Sequence, residues 1–154
     1  MRIALLLSLG LLLAGCPPRG DNGNNGDDDD SAVANDNDDG WTELEDGLQV
    51  RDVVVGDGDE VEVGDTITAH YTLWLYEDDE KGDMLQTSTN GSPFSADIGV
   101  GQLIEGWDRG IPGMNVGGTR ELIIGPDLAY GSSGQGDVPP NATLFFEVEV
   151  LEAN

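Results

Sequence analysis

Thr66-Ile67-Thr68-Ala69-His70-Tyr71-Thr72-Leu73-Trp74-Leu75-Tyr76 is the stretch whose pattern decides the fold. Every odd position in it is apolar, and the even positions are mainly polar until Trp74. Successive side chains of an extended chain point to opposite faces, so a period of two describes a strand with one face in a core and the other toward water, as in antiparallel sheets. Leu144, Phe146, Val148 and Val150 alternate in the same way against Glu147 and Glu149, which gives a second strand. Gln49 to Val55 and Thr119 to Ile124 are further candidates, and Phe94 to Ile98 is a weaker one. The one candidate helix is short, Leu103 to Gly110, bounded by Gly101 and by Ile111-Pro112-Gly113. About five antiparallel strands with a single short helix between them describe a small α+β domain.

This texture starts at Trp41, and the chain ahead of it is built differently. Pro17 to Gly40 consists mainly of Asp, Asn, Gly, Pro and Ser; Ala32, Val33 and Ala34 are its apolar residues, and Asp27 to Asp30 is an uninterrupted acidic run. Such a segment buries too little apolar surface to offset its ordering entropy, and it reads as a disordered spacer extended by like charge. Oxygen ligands abound between Asp21 and Asp39, which admits a calcium-binding reading. The spaced loop with a terminal Glu that a defined calcium site uses is missing.

Ahead of the spacer, Met1-Arg2 is a short positive start and Ile3 to Leu13 an apolar run broken by Ser8 and Gly10. The run is shorter than the roughly 20 residues of a membrane span and fits the h-region of a secretory signal. It ends in Leu13-Ala14-Gly15-Cys16. A plain signal peptide with an incidental cysteine would read similarly, but the chain's single cysteine stands where it resembles a bacterial lipobox. The organisation expected is a lipoprotein signal at 1–15, a lipidated Cys16 with an acidic tether over 16–40, and one folded domain at 41–154. Two or three acyl chains would hold the domain at a membrane without spanning it. Pro17-Pro18 follows Cys16 with no Asp, which points to an outer membrane facing the periplasm; display at the cell surface fits the same residues.

The charge excludes other partners. With 31 acidic and six basic side chains the net charge is −25, so sequence-independent binding to nucleic-acid phosphates, which needs clustered Lys and Arg, is ruled out. Eight of the acidic residues lie in the spacer, leaving 23 in the domain against Arg51, Lys81, Arg109 and Arg120. That excess keeps a tethered domain soluble and monomeric and repels anionic lipid; with so little lysine it also points to adaptation to high salt, where screening relieves self-repulsion. One cysteine makes neither an internal disulfide nor a thiolate metal set.

Little conventional catalytic chemistry is visible. His70, the lone histidine, falls on the polar side of its strand, an exposed position that leaves no triad or His-based metal site to build. Gly99-Val100-Gly101 and Gly117-Gly118 are too short for phosphate cradles, and carboxylates are too numerous for any pair to stand out. No metal or cofactor is expected. The distinctive supply is aromatic: Tyr71, Phe94, Trp107, Tyr130 and Phe146 lie in or beside strands, the helix or Gly/Pro-rich loops. Composition alone would assign them to a core.

Their spacing points elsewhere. Ala69-His70-Tyr71-Thr72, Gly82 to Ser88, Ser92-Pro93-Phe94, Gly99 to Met114 (GVGQLIEGWDRGIPGM), Val116-Gly117-Gly118, Ile124 to Gly131 and Val138 to Phe146 follow in order. From about Gly47 to Leu151 this resembles the FKBP-type peptidyl-prolyl cis-trans isomerases, with Ile-x-Gly-Trp, Ala-Tyr-Gly and Pro-Pro-x-Ala-Thr-Leu as its specific elements. The resemblance implies a curved antiparallel sheet wrapped around one short helix, with an apolar pocket between them. It implies Trp107 as the pocket floor, Tyr71, Phe94 and Phe146 as aromatic walls, and Leu103, Ile104 and Val138 as aliphatic lining. Tyr130 would donate its hydroxyl, and Ile104 its backbone N–H, to carbonyls of a bound peptide. Proline-containing polypeptides and macrolide inhibitors are the implied ligands. The loop from Gly131 to Val138 is too short to hold an inserted chaperone domain.

Such a pocket suits its reaction on physical grounds. An X–Pro bond isomerises over a barrier of about 18–20 kcal/mol because rotation breaks amide resonance. The planar amide is more polar than the twisted one, so an apolar pocket disfavours the ground state relative to the transition state. The chain departs from the family at Leu85-Gln86, where Phe-Asp is usual, at Ala96, usually aromatic, and at Gln135, where some members have His. Leu85 and Gln86 remain expected substrate contacts. These departures favour a slower isomerase, or else a non-catalytic peptide-binding chaperone module on the cell envelope.

Overall fold

The computed structural model describes residues 40–154. In chain order the elements are β1 (Thr42–Glu45), β2 (Leu48–Val54), β3 (Thr66–Glu77), β4 (Glu80–Thr87), β5 (Phe94–Asp97), α1 (Glu105–Gly110), β6 (Thr119–Ile124) and β7 (Leu144–Ala153). All pairings are antiparallel, in the order β1-β2-β6-β7-β3-β4, with β5 pairing β3 beyond the main path. β3 pairs with β4, β5 and β7, and the alternation of residues 66–76 sets its faces: Ile67, Ala69 and Leu73 are buried on the helix side with Val148 and Val150 of β7. Among the described residues no helix is long and apolar enough to cross a membrane.

Among the described residues the sheet has seven strands where about five were expected. β1 carries only Leu44 among acidic and polar residues, and that leucine is exposed, so no apolar alternation marks it. β4, with the sequence EKGDMLQT, has a poor strand composition and exists because it is the return limb of a hairpin. Asp78 and Asp79 both take positive φ (51° and 63°), the conformation of a two-residue turn that matches strand twist, and Glu77 then faces Glu80. The helix also begins two residues later than expected. Ile104 is extended (φ −63°, ψ 145°) and caps the first turn through its carbonyl, which accepts the Trp107 N–H at 3.0 Å.

α1 packs against β2 and β6. Gly106 makes that approach possible, since a Cβ there would lie 2.4 Å from Ile124 Cγ2. Both ends of the helix are tied down. The Asp108 carboxylate accepts the Gly99 and Gly101 N–H groups at 2.9 and 2.8 Å. Arg120, nearly buried, donates to the carbonyls of Gly110 and Pro112 while it grips Asp52 with two nitrogens at 2.6 and 2.9 Å.

A second, smaller cluster covers the outer face of the sheet, where Trp41, Ile123 and Phe145 are buried beside Trp74 and Tyr76. Arg51 lies over the Trp41 ring and Lys81 over the Phe145 ring, and both cations converge on buried Glu121. His70 is half-buried on this side, a correction to the exposed position expected of it. Its Nδ1 lies 3.3 Å from Ser88 Oγ, which also accepts the Tyr71 N–H. The signal, Cys16 and the tether lie outside the described residues.

Candidate active site

Between α1 and the inner face of the sheet is a cavity of about 550 Å³. Trp107, at the third position of α1, forms its floor and is only 4% exposed. Four edge-to-face contacts fix the aromatic shell: Tyr71 on Phe94 at 5.8 Å, and Trp107 against Tyr71, Phe94 and Phe146 at 5.5, 6.0 and 5.5 Å. A ring's positive edge meeting a negative face favours this geometry over a flat stack. The Trp107 Nε1–H is buried with no hydrogen-bond partner among the described residues. Leu103 and Ile104 line the wall on the approach to the helix. The Ile104 N–H is donated to no backbone carbonyl among the described residues.

Tyr130 follows a short 3-10 turn at Pro126–Leu128 and also lines the cavity. Burial pushes the Tyr130 phenol above its ordinary pKa. Burial first, and then the neighbouring Tyr130, does the same for Tyr71. Both phenols therefore hold their protons, and remain donors, across neutral pH.

The structure brings Tyr71, Phe94, Leu103, Ile104, Trp107, Tyr130, Phe146 and Gln86 to this one cavity. Leu85 and Val138 line instead an adjoining groove of about 320 Å³, whose wall is shared with the cavity through Gln86 and Tyr130. Leu73, Gln102, Glu105, Asp127, Ala129 and Gln135 also line the cavity. Leu73 was legible, two residues beyond Tyr71 on the same face of β3. The others sit on loops and on the first turn of α1, where no period marks a direction. Among the described residues, no three His, Cys, Asp or Glu side chains are grouped to hold a metal ion.

The model of the FKBP-type peptidyl-prolyl cis-trans isomerase family matches residues 58–151. The chain belongs to this family. It is 43% identical over 106 residues to FK506-binding protein 1 of Gibberella zeae, covering 68% of this chain and 96% of that protein. It is 45% identical over 108 residues to an FK506-binding protein of Neisseria meningitidis serogroup B, covering 69% and 95%. The crystal structure of AtFKBP13 is 39% identical and superposes with a TM-score of 0.63, covering 71% of this chain and 94% of that one. The FKBP domain is a peptidyl-prolyl cis-trans isomerase, and its antiparallel sheet wrapped around one short helix is the fold of its relatives.

Proposed function

We propose that this FKBP domain isomerises X–Pro bonds of secreted or envelope polypeptides, working as a monomer held at a membrane by a lipid on Cys16. The observation that carries the catalytic part is the aromatic cavity, with Trp107 beneath it and two protonated phenols beside it. Proline enters over the Trp107 ring between Tyr71, Phe94 and Phe146. Tyr130 and the Ile104 N–H then donate to substrate carbonyls and hold the chain while the imide, stripped of water, twists. Rotation needs no nucleophile or metal, because the barrier is resonance, and each tenfold of rate requires only about 1.36 kcal/mol of preference for the twisted form. The same walls would take a macrolide ring, as the FK506-binding relatives are named for doing.

Acceleration of cis-trans exchange in a short X-Pro peptide tests this reading. We expect Trp107→Leu and Tyr130→Phe to lower kcat/KM by about tenfold or more, the loss of one well-placed contact in the transition state. Binding without acceleration would support instead a non-catalytic peptide-holding module, the reading that Leu85, Gln86 and Ala96 favour. The anchor rests on the lipobox-like Leu13-Ala14-Gly15-Cys16 and the acidic spacer behind it. Outer membrane facing the periplasm is the location we infer. Membrane fractionation of the full chain with and without Cys16→Ala checks the anchor, and a variant that stayed with the membrane would refute it.

A further inference from the structure

The cavity does not end at Tyr130. The adjoining groove of about 320 Å³ has apolar walls of its own, half-buried Leu85 and buried Val138, and Asp137 stands exposed at its edge. The position of Asp137 is fixed by a tight turn: Gln135 and Val138 exchange both backbone hydrogen bonds, at 3.0 and 2.9 Å, and Gly136 takes a φ of 58°. Consecutive Cα atoms are only about 3.8 Å apart, so a chain with its proline over Trp107 brings a neighbouring side chain to this groove. Apolar walls ending in a carboxylate match a side chain with a long hydrocarbon stem and a cationic head.

The field at the mouth has the same sign. Glu105 and Asp127 line the main cavity, and among the described residues no Lys or Arg lines either space. Three of the domain's four basic residues are engaged elsewhere, Arg51 and Lys81 with Glu121 and Arg120 with Asp52, and the fourth, Arg109, is held by Glu45 and Glu105. Arg109 thus offsets Glu105, whereas no ion pair to Asp127 or Asp137 is formed among the described residues.

We propose that the groove is a subsite for a lysine or arginine side chain flanking the substrate proline, and that Asp137 selects it. The proposal rests on the main cavity being the proline pocket. Two peptide series test it, with Lys, Leu or Glu placed before the proline in one and after it in the other. At low ionic strength, kcat/KM for Lys should exceed that for Glu by about tenfold in one series, narrowing in molar salt. Asp137→Asn should cut that ratio by about threefold or more and leave the Leu peptide within about twofold of the parent enzyme. Glu149→Gln, which removes a charge on the outer face of β7, should leave the ratio standing. Equal rates for Lys and Glu in both series would overturn the proposal. So would a ratio that survives Asp137→Asn, or one that falls equally in Glu149→Gln, and so would a loss in Asp137→Asn shared by every peptide. Failure of the pocket reading looks different: the parent enzyme would then accelerate no peptide in either series.

Discussion

Tyr130 and Tyr71 present hydroxyls to the cavity whose pKa values burial raises. A phenol with a raised pKa keeps its proton up to and beyond about pH 10, so kcat/KM should be flat from about pH 6 to 9 and decline only in the alkaline range. A titration in the neutral range that disappears in Tyr130→Phe would contradict this. Glu121 behaves oppositely. Burial pushes its pKa up, but hydrogen bonds and charges from Arg51 and Lys81 outweigh burial and hold the carboxyl below its usual range. Its folded pKa is lowered, so the stability it contributes is present above the ordinary glutamate pKa of about 4.3 and lost as pH falls through the folded value. Glu121→Gln leaves two cations without their shared partner and should cost about 1–2 kcal/mol at pH 7. The figure is below that of a fully buried pair because Arg51 and Lys81 are each more than a third exposed. Denaturant midpoints of the two forms should converge toward low pH. The pocket aromatics were readable in the sequence at this scale, but the groove residues were not: Asp137 in Gly-Gln-Gly-Asp-Val looks like any turn residue until the turn is placed beside Tyr130.

At the scale of elements, α1 is six residues long and could not persist alone, since isolated helices below about 12–15 residues are marginal in water. It is held by the Asp108 contacts to Gly99 and Gly101, by Arg120 on its last carbonyls, and by the close approach that Gly106 allows. Gly106→Ala tests the balance. Alanine favours a helix over glycine by about 0.8–1 kcal/mol, but its Cβ would stand 2.4 Å from Ile124, and overpacking of that kind costs about 1–3 kcal/mol. We expect net destabilisation in denaturant melts together with a lower kcat/KM, because the displaced helix carries Trp107 and is capped by Ile104; a more stable, fully active variant would show that the sheet yields. β3 and β7 were legible because burial of one face enforces their alternation. β4 was not, because it is paired by the Asp78-Asp79 turn and its composition resembles a loop.

For the whole molecule, the domain sets 23 acidic side chains against four basic ones, and each basic residue already holds at least one carboxylate. Most of the negative charge is therefore uncompensated within the fold and destabilises it by self-repulsion. Raising salt from low to molar concentration should stabilise the protein, with a gain of about 1 kcal/mol appearing as roughly 4–8 °C in Tm. A Tm that stayed level or fell would count against adaptation to high salt. The sequence by itself determined the alternating strands, the short helix, the acidic surface and the aromatic set in its family order, because burial period, composition and local spacing are properties of the chain. Only the tertiary structure decided the rest: that β4 is a strand, that Leu85 and Val138 face a separate groove with Asp137 at its rim, and that all four cations of the domain are committed to ion pairs. The groove and most of the ion pairs depend on side chains distant in the chain meeting in the fold, as Arg51 meets Glu121 70 positions away, and no local pattern records such a meeting.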